Sequence, residues 1–217
     1  HSDQEVSGDI FCEEAKKEDL AELACFAEKQ LSKLAEVYTV HDIAYFEQRM
    51  QEVGCEGGSL ILIRKEKEIC GYFLALKKDR EAWEIVMEDA VQKKAFPAVL
   101  HWFGASEEKC TFTAFPQIWE QYAQSENVPA IMGRIVHLER FVCCLKIKKE
   151  QEWKIRLTDS LIPENNGYFI IKTGIEGGSL IRVENLSEKE KKMFCSMDIG
   201  QLTEELFRLP VFLNEVV

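Results

Sequence analysis

The sequence predicts an α+β fold in two parts, and three observations predict it. Over residues 9–124, stretches of strand character and stretches of helical periodicity follow one another in a fixed order. That order breaks at the polar run SENVP, 125–129. From 152 onward come three short strands with turns between them, then one amphipathic helix. The 217 residues, 46% apolar and 30% charged, are ordinary for a globular chain and suffice for one large or two small domains. The boundaries drawn on this basis are a disordered or appended start at 1–8, a first domain at 9–127, and a second at 128–217 that ends in an apolar tail.

The elements follow in order. DIFCEE opens with a short strand. From Asp19 a helix is expected, because Leu20, Leu23, Ala24, Ala27, Leu31 and Leu34 recur at helical spacing. Asp42 reads as the N-cap of a second helix whose buried stripe is Ile43, Phe46, Met50 and Val53, ended by Gly54. SLILIRK and EICGYFLAL, joined by the charged turn at 65–68, read as a hairpin apolar on both faces and therefore central in a sheet. AWEIVME is a third strand. A helix covers much of 89–103, which Pro97 must start, kink or split. KCTFTAF is a strand and PQIWEQYAQ a helix with Pro116 at its first position. After the break, AIMGRIV (130–136) reads as a strand and 137–146 as a short helix. The meander strands are 152–159, 167–174 and 178–184. The last helix places Ile199, Leu202, Leu206 and Leu209 on one face and is stopped by Pro210. EGGSL occurs at 56–60 and 176–180, but the flanks differ and no repeat is inferred.

Composition excludes several functions. The net charge of −11 argues against nucleic-acid binding, which needs a basic surface. Lys146, Lys148 and Lys149 make only a local patch. An acidic field mildly favours cationic substrates such as amines, while the ordinary role of such a charge is solubility. None of the eight cysteines forms C-x-x-C or has zinc spacing with a histidine, so they read as reduced thiols of a cytoplasmic protein, with Cys25, Cys70 and Cys110 in the core. No signal peptide and no membrane-spanning apolar run is visible, so no membrane partner is expected. His41 and His137 precede helices and read as capping or surface groups. Trp83, Trp102, Trp119 and Trp153 read as core. Glu84, Glu88 and Asp89 are candidates to line an amine pocket, set against the ordinary reading of strand-end acids as solvated.

The order strand, two helices, three-strand meander, helix, strand, helix over 9–124 resembles the GNAT acetyltransferase fold. FCEEAKKEDL looks like its opening strand and GGSLILIRKEKEICGYFLAL like its central hairpin. AIMGRIVHLERFV and LTDSLIPENNGYFII resemble the linker and opening hairpin by which Eis-type (enhanced intracellular survival) bacterial acetyltransferases pass from their second GNAT domain to a sterol-carrier-protein-like domain. FLNEVV resembles the end of such proteins. The resemblance implies a GNAT-like mixed sheet with flanking helices, followed by a small sterol-carrier-protein-like α/β sandwich. It also implies that the acetyl-CoA-binding GNAT domain lies upstream, outside an excised fragment. A GNAT cofactor loop needs glycines and free amides at a helix N-terminus. AVQKKAFPAVLHWF offers none before Gly104, with Lys93 and Lys94 as its only cations, so this chain is expected to bind no cofactor itself, acetyl-CoA belonging to the intact family enzyme.

In the resembled family the C-terminal carboxylate enters the substrate cleft of the upstream domain and helps take a proton from the attacking amine. Here that implies a catalytic carboxylate on Val217, conditional on the upstream domain, with Phe212, Leu213 and Val216 as anchors. The tail equally reads as closing the second core. Three functions stay open. The chain supplies pocket wall, homo-oligomer contacts and tail to an amine acetyltransferase. It holds an apolar ligand in a cavity lined by Phe169, Ile171, Leu180 and Phe194, for which the short C-terminal part leaves little room. Or it is a scaffold that docks a partner around the tail.

Overall fold

The computed structural model describes residues 10–35, 37–104, 109–114, 118, 119, 122, 124, 126, 133–147, 150–207 and 211–212, with Val37, Val211 and Phe212 described by their backbone alone. The chain divides into two compact units, residues 1–128 with 212–217, and residues 129–211.

In the first unit, α1 (Leu20–Leu34) buries Leu20, Leu23, Phe26, Ala27 and Leu31 and leaves the opposite face in water. Cys25 lies on that outer face and is exposed, contrary to its expected place in the core; Cys70 is buried and Cys110 half-buried. The helix α2 (Ile43–Cys55) starts where the Asp42 carboxylate accepts the Tyr45 amide at 2.8 Å. Burial begins one turn in, at Phe46; Ile43, expected in the stripe, occupies the first helical position and is exposed. Gly54 remains inside the helix. The left-handed turn that follows is made by Gly57, at φ 79°.

Among the described residues, five strands form the sheet of this unit: β1 (Ile10–Glu14), β3 (Ser59–Lys65), β4 (Glu68–Leu76), β5 (Glu81–Met87) and β6 (Thr111–Ala114), in that spatial order. The first four pair antiparallel; β5 and β6 are parallel, joined by α3 (Gln92–Trp102). The sheet is therefore mixed. The β3–β4 hairpin is central, with Leu60–Ile63 and Ile69–Ala75 buried on both faces, as the unbroken apolar runs require. Pro97 sits inside α3 without splitting it, its ring removing one amide from the ladder. The helix expected at 116–124 fails at Trp119, whose φ of 63° no right-handed helix accepts; its other positions fall largely outside the described residues. Trp119 is nevertheless core, its indole N–H donating to the Gln92 carbonyl at 3.2 Å, whereas Trp83, Trp102 and Trp153 are half-buried. The short strand β2 (Val37–Tyr38) pairs with β11 (Val211–Phe212).

In the second unit, α4 (Leu138–Cys144) precedes β7 (Gln151–Thr158), β8 (Gly167–Gly174) and β9 (Gly177–Val183), the expected antiparallel meander. After the one-turn α5 (Glu188–Lys191), β10 (Cys195–Asp198) adds to β7 in parallel, giving the order β10-β7-β8-β9. Then α6 (Ile199–Phe207) buries Ile199, Leu202 and Leu206. The core lies between one sheet face (Ile155, Leu157, Phe169, Ile171) and the helices. Residues 133–136 form no strand, which corrects the expectation for AIMGRIV; its first residues lie outside the described set.

Candidate functional site

The strongest concentration of chemical groups in the first unit is buried. Along β4–β5 the register pairs Leu74 with Trp83 and Tyr72 with Val86, so Glu84 and Ile85 together oppose Phe73. This bulge puts Glu84 at φ 55° and re-aims its side chain. There the Glu84 carboxylate meets three groups. Its Oε1 accepts from Tyr45 Oη at 2.7 Å and lies 3.0 Å from His41 Nε2; its Oε2 lies 3.4 Å from Arg49 Nε. Tyr45 and Arg49 reach it from one face of α2, four residues apart. His41 is fixed on its other side by Thr39 O, 2.5 Å from Nδ1.

Both imidazole nitrogens of His41 thus face acceptors. Nearby, Tyr72 is fully buried and its Oη has no hydrogen-bond partner among the described residues. Burial pushes its phenol well above the ordinary range, with Glu84 adding to the effect. The side chains of His41 and Glu84 are 0% and 1% exposed, so no substrate atom reaches them and the cluster is a buried clamp between α2 and β5. This corrects two expectations: His41 is not a surface group, and Glu84 is not a solvated acid. Glu88 is half-buried and Asp89 exposed, as strand-end acids. His137 does cap a helix, its Nδ1 accepting the Arg140 amide at 3.3 Å.

The start of α3 is where a GNAT fold would receive the acetyl-CoA pyrophosphate. Here a 3-10 turn, Asp89–Val91, leads into the helix. The Val91 amide donates to Glu88 O and the Gln92 amide to Asp89 O. The Asp89 side chain accepts from Gln92 Nε2 at 3.1 Å. The Glu88 and Asp89 carboxylates, half-buried and exposed, stand beside this turn.

The second unit contains a cavity of about 580 Å³. Its lining includes Phe169 and Leu180, two of the four residues expected there. Ile171 is instead packed in the core, and Phe194 stacks edge-on against Tyr168 with centroids 5.3 Å apart. Tyr168 and Phe169 are successive strand residues and so point to opposite faces. Among the described residues the hollow is framed by the segments at 136–139 and 162–165 together with Phe169, Leu180 and Arg182. Asp159 ties those segments together: its carboxylate accepts the Leu161 and Ile162 amides and Asn165 Nδ2 and pairs with Arg134. The bond from Asn165, with the others and Arg134, pulls its carboxyl down to about 2. Asn165 in turn accepts the Leu138 amide and donates to Val136 O.

The terminal groups expected to act, Leu213, Val216 and Val217, lie outside the described residues, as does the Phe212 side chain; the Phe212 backbone is in β11. Among the described residues no helix is long and apolar enough to cross a membrane, and no cluster of metal-ligating side chains occurs.

No family model and no curated protein matches the sequence. Solved structures do match. A protein of Enterococcus faecalis described as a "Probable N-Acyltransferase" aligns with a TM-score of 0.51 at 13% identity, over 90% of this chain and 50% of its own. A GCN5-related N-acetyltransferase from Anabaena variabilis aligns with a TM-score of 0.50 at 13% identity, over 89% of this chain and 51% of its own. The chain spans about half the length of these solved chains. At such identity the likeness is one of backbone architecture: the chain has the fold of the GCN5-related N-acetyltransferases.

Proposed function

We propose that this chain is the accessory C-terminal portion of an Eis-type N-acetyltransferase of a bacterial cytoplasm. On this reading the first unit is a second GNAT-like domain that has lost its cofactor site, and the second is the sterol-carrier-protein-like domain. The acetyl-CoA-binding domain lies upstream. This chain contributes wall to the amine-substrate pocket, contacts in a homo-oligomer, and the Val217 carboxylate, which takes a proton from the attacking amine. A carboxylate in a partly dry cleft is suited to that role, since desolvation raises its basicity. Phe212, Leu213 and Val216 anchor the tail. The pairing of β11 with β2 supports an end that is tied down.

The observation that carries the reading is the start of α3: a GNAT-like strand–helix junction where Glu88, Asp89 and engaged amides stand in place of phosphate donors. The test is calorimetric titration with acetyl-CoA of this 217-residue chain and of a chain extended upstream to its initiator methionine. Binding by the extended form alone is expected. Binding by the 217-residue chain overturns the reading and makes it a minimal enzyme. The cavity of the second unit favours a second reading, a non-catalytic module that holds an apolar ligand.

A further inference from the structure

We propose that the cavity of the second unit binds a small molecule with an apolar body and a cationic amine head; this rests on the second reading above and adds the chemical class of the ligand. The hollow is large enough for a small organic molecule. Its floor is Phe169 and Leu138, both buried, and its walls are Ile162, Leu180 and Val136. Val136 is 64% exposed, an apolar side chain left at the mouth. The frame is tied by hydrogen bonds of the chain itself. Asp159 and Asn165 are 5% and 4% exposed, and together they bond the backbone of Val136, Leu138, Leu161 and Ile162. A hollow held open by a satisfied polar hub, and not filled by side chains of the described residues, is pre-organised for a guest.

The charge at the rim selects the guest. Arg182, Glu139 and Glu164 all line the cavity. The guanidinium of Arg182 is turned into the wall: Nη1 donates to Asn166 O at 2.8 Å, Nη2 to Glu164 O at 2.6 Å, and its centre lies 4.7 Å from the Phe169 ring. Among the described residues neither Glu139 nor Glu164 takes part in an ion pair. Two carboxylates are therefore open at the mouth of an apolar hollow while the one guanidinium is engaged by carbonyls and a ring face. The field of a chain with net charge −11 acts in the same direction, raising the local concentration of cations.

The test uses the full chain and three probes that share one apolar body: octylamine, 1-octanol and octanoate, titrated calorimetrically at neutral pH. Octylamine is expected to bind about tenfold more tightly than 1-octanol, with octanoate weakest. In the double variant Glu139→Gln/Glu164→Gln the octylamine advantage disappears while 1-octanol binding is unchanged. Leu180→Trp, which fills the hollow, removes binding of all three with the circular dichroism of the fold retained. If octanoate binds as tightly as octylamine, the charge inference is overturned and the apolar cavity stands. If none of the three binds, or if Leu180→Trp leaves binding intact, the cavity reading falls and the proposal with it.

Discussion

Glu84 is the residue on which most of the first unit's buried polar chemistry turns. It sits at a left-handed φ on a bulge, with its carboxylate buried against His41 and facing the partly exposed Arg49, which also pairs with Glu52. Removing one partner of a buried pair leaves the other charge uncompensated, which costs about 3–5 kcal/mol, more than the pair itself contributes. Glu84→Gln keeps the shape and removes the charge. Its expected effect is a loss in that range, or a fall of roughly 10 °C in melting temperature, checked by chemical denaturation and by scanning calorimetry. Adding His41→Phe on that background recovers part of the loss, because the buried ring nitrogen that faced the carboxylate is then gone. A loss below about 1 kcal/mol for Glu84→Gln alone would mean that the cluster is not a clamp. The sequence held a hint of this group. Glu84 is the lone charge between Ala82–Trp83 and Ile85–Met87, and an acid inside so apolar a strand calls for a buried partner. What it could not supply is the partner: His41 lies 43 positions away and meets Glu84 only because a bulge turns the side chain toward α2.

At the level of elements, legibility followed periodicity. The β3–β4 hairpin, α1 and the meander β7–β8–β9 stand where unbroken apolar runs or regular spacing put them. The elements that were missed carry only short local signals. CSMD alternates apolar and polar residues, but four positions are too short a run to read as a strand, and it becomes β10 by pairing with the edge of β7. Trp119 leaves the helical region because its indole is drawn onto the α3 backbone. The two helix-associated glycines illustrate how tertiary contact decides the sign of one substitution. Gly178 lies in β9 where α4 approaches so closely that an added Cβ would collide with the Val142 carbonyl; Gly54 lies in α2 with nothing near the corresponding position. Gly178→Ala is expected to destabilise by about 1–3 kcal/mol through overpacking. Gly54→Ala is expected to stabilise by about 0.5–1 kcal/mol, by removing unfolded-state freedom at no steric cost. Urea denaturation of both variants checks the pair, and a stable Gly178→Ala protein would show that α4 and β9 can separate without cost.

At the scale of the whole molecule the described residues form two apolar cores that share no residue. One is built on Ile61, Leu62, Tyr72 and Phe73 and the other on Ile155, Phe169, Ile171 and Leu202. Each is enclosed within its own compact unit. Cooperativity comes from burial of a common core, so two separate cores predict two transitions, not one. Scanning calorimetry of the parent chain and of the two destabilised variants tests this without cutting the chain. Glu84→Gln acts in the first unit and Gly178→Ala in the second, so each is expected to move one transition downward and leave the other within about 1 °C. The octylamine arm supplies an independent marker: a ligand held in the second unit raises only the transition that Gly178→Ala lowers, because binding stabilises the folded state it occupies. A single transition that both variants lower and the ligand raises would show that the units unfold as one. In that case damage to the Glu84 cluster would weaken ligand binding in the other unit, a coupling that titration of Glu84→Gln near its midpoint would detect directly.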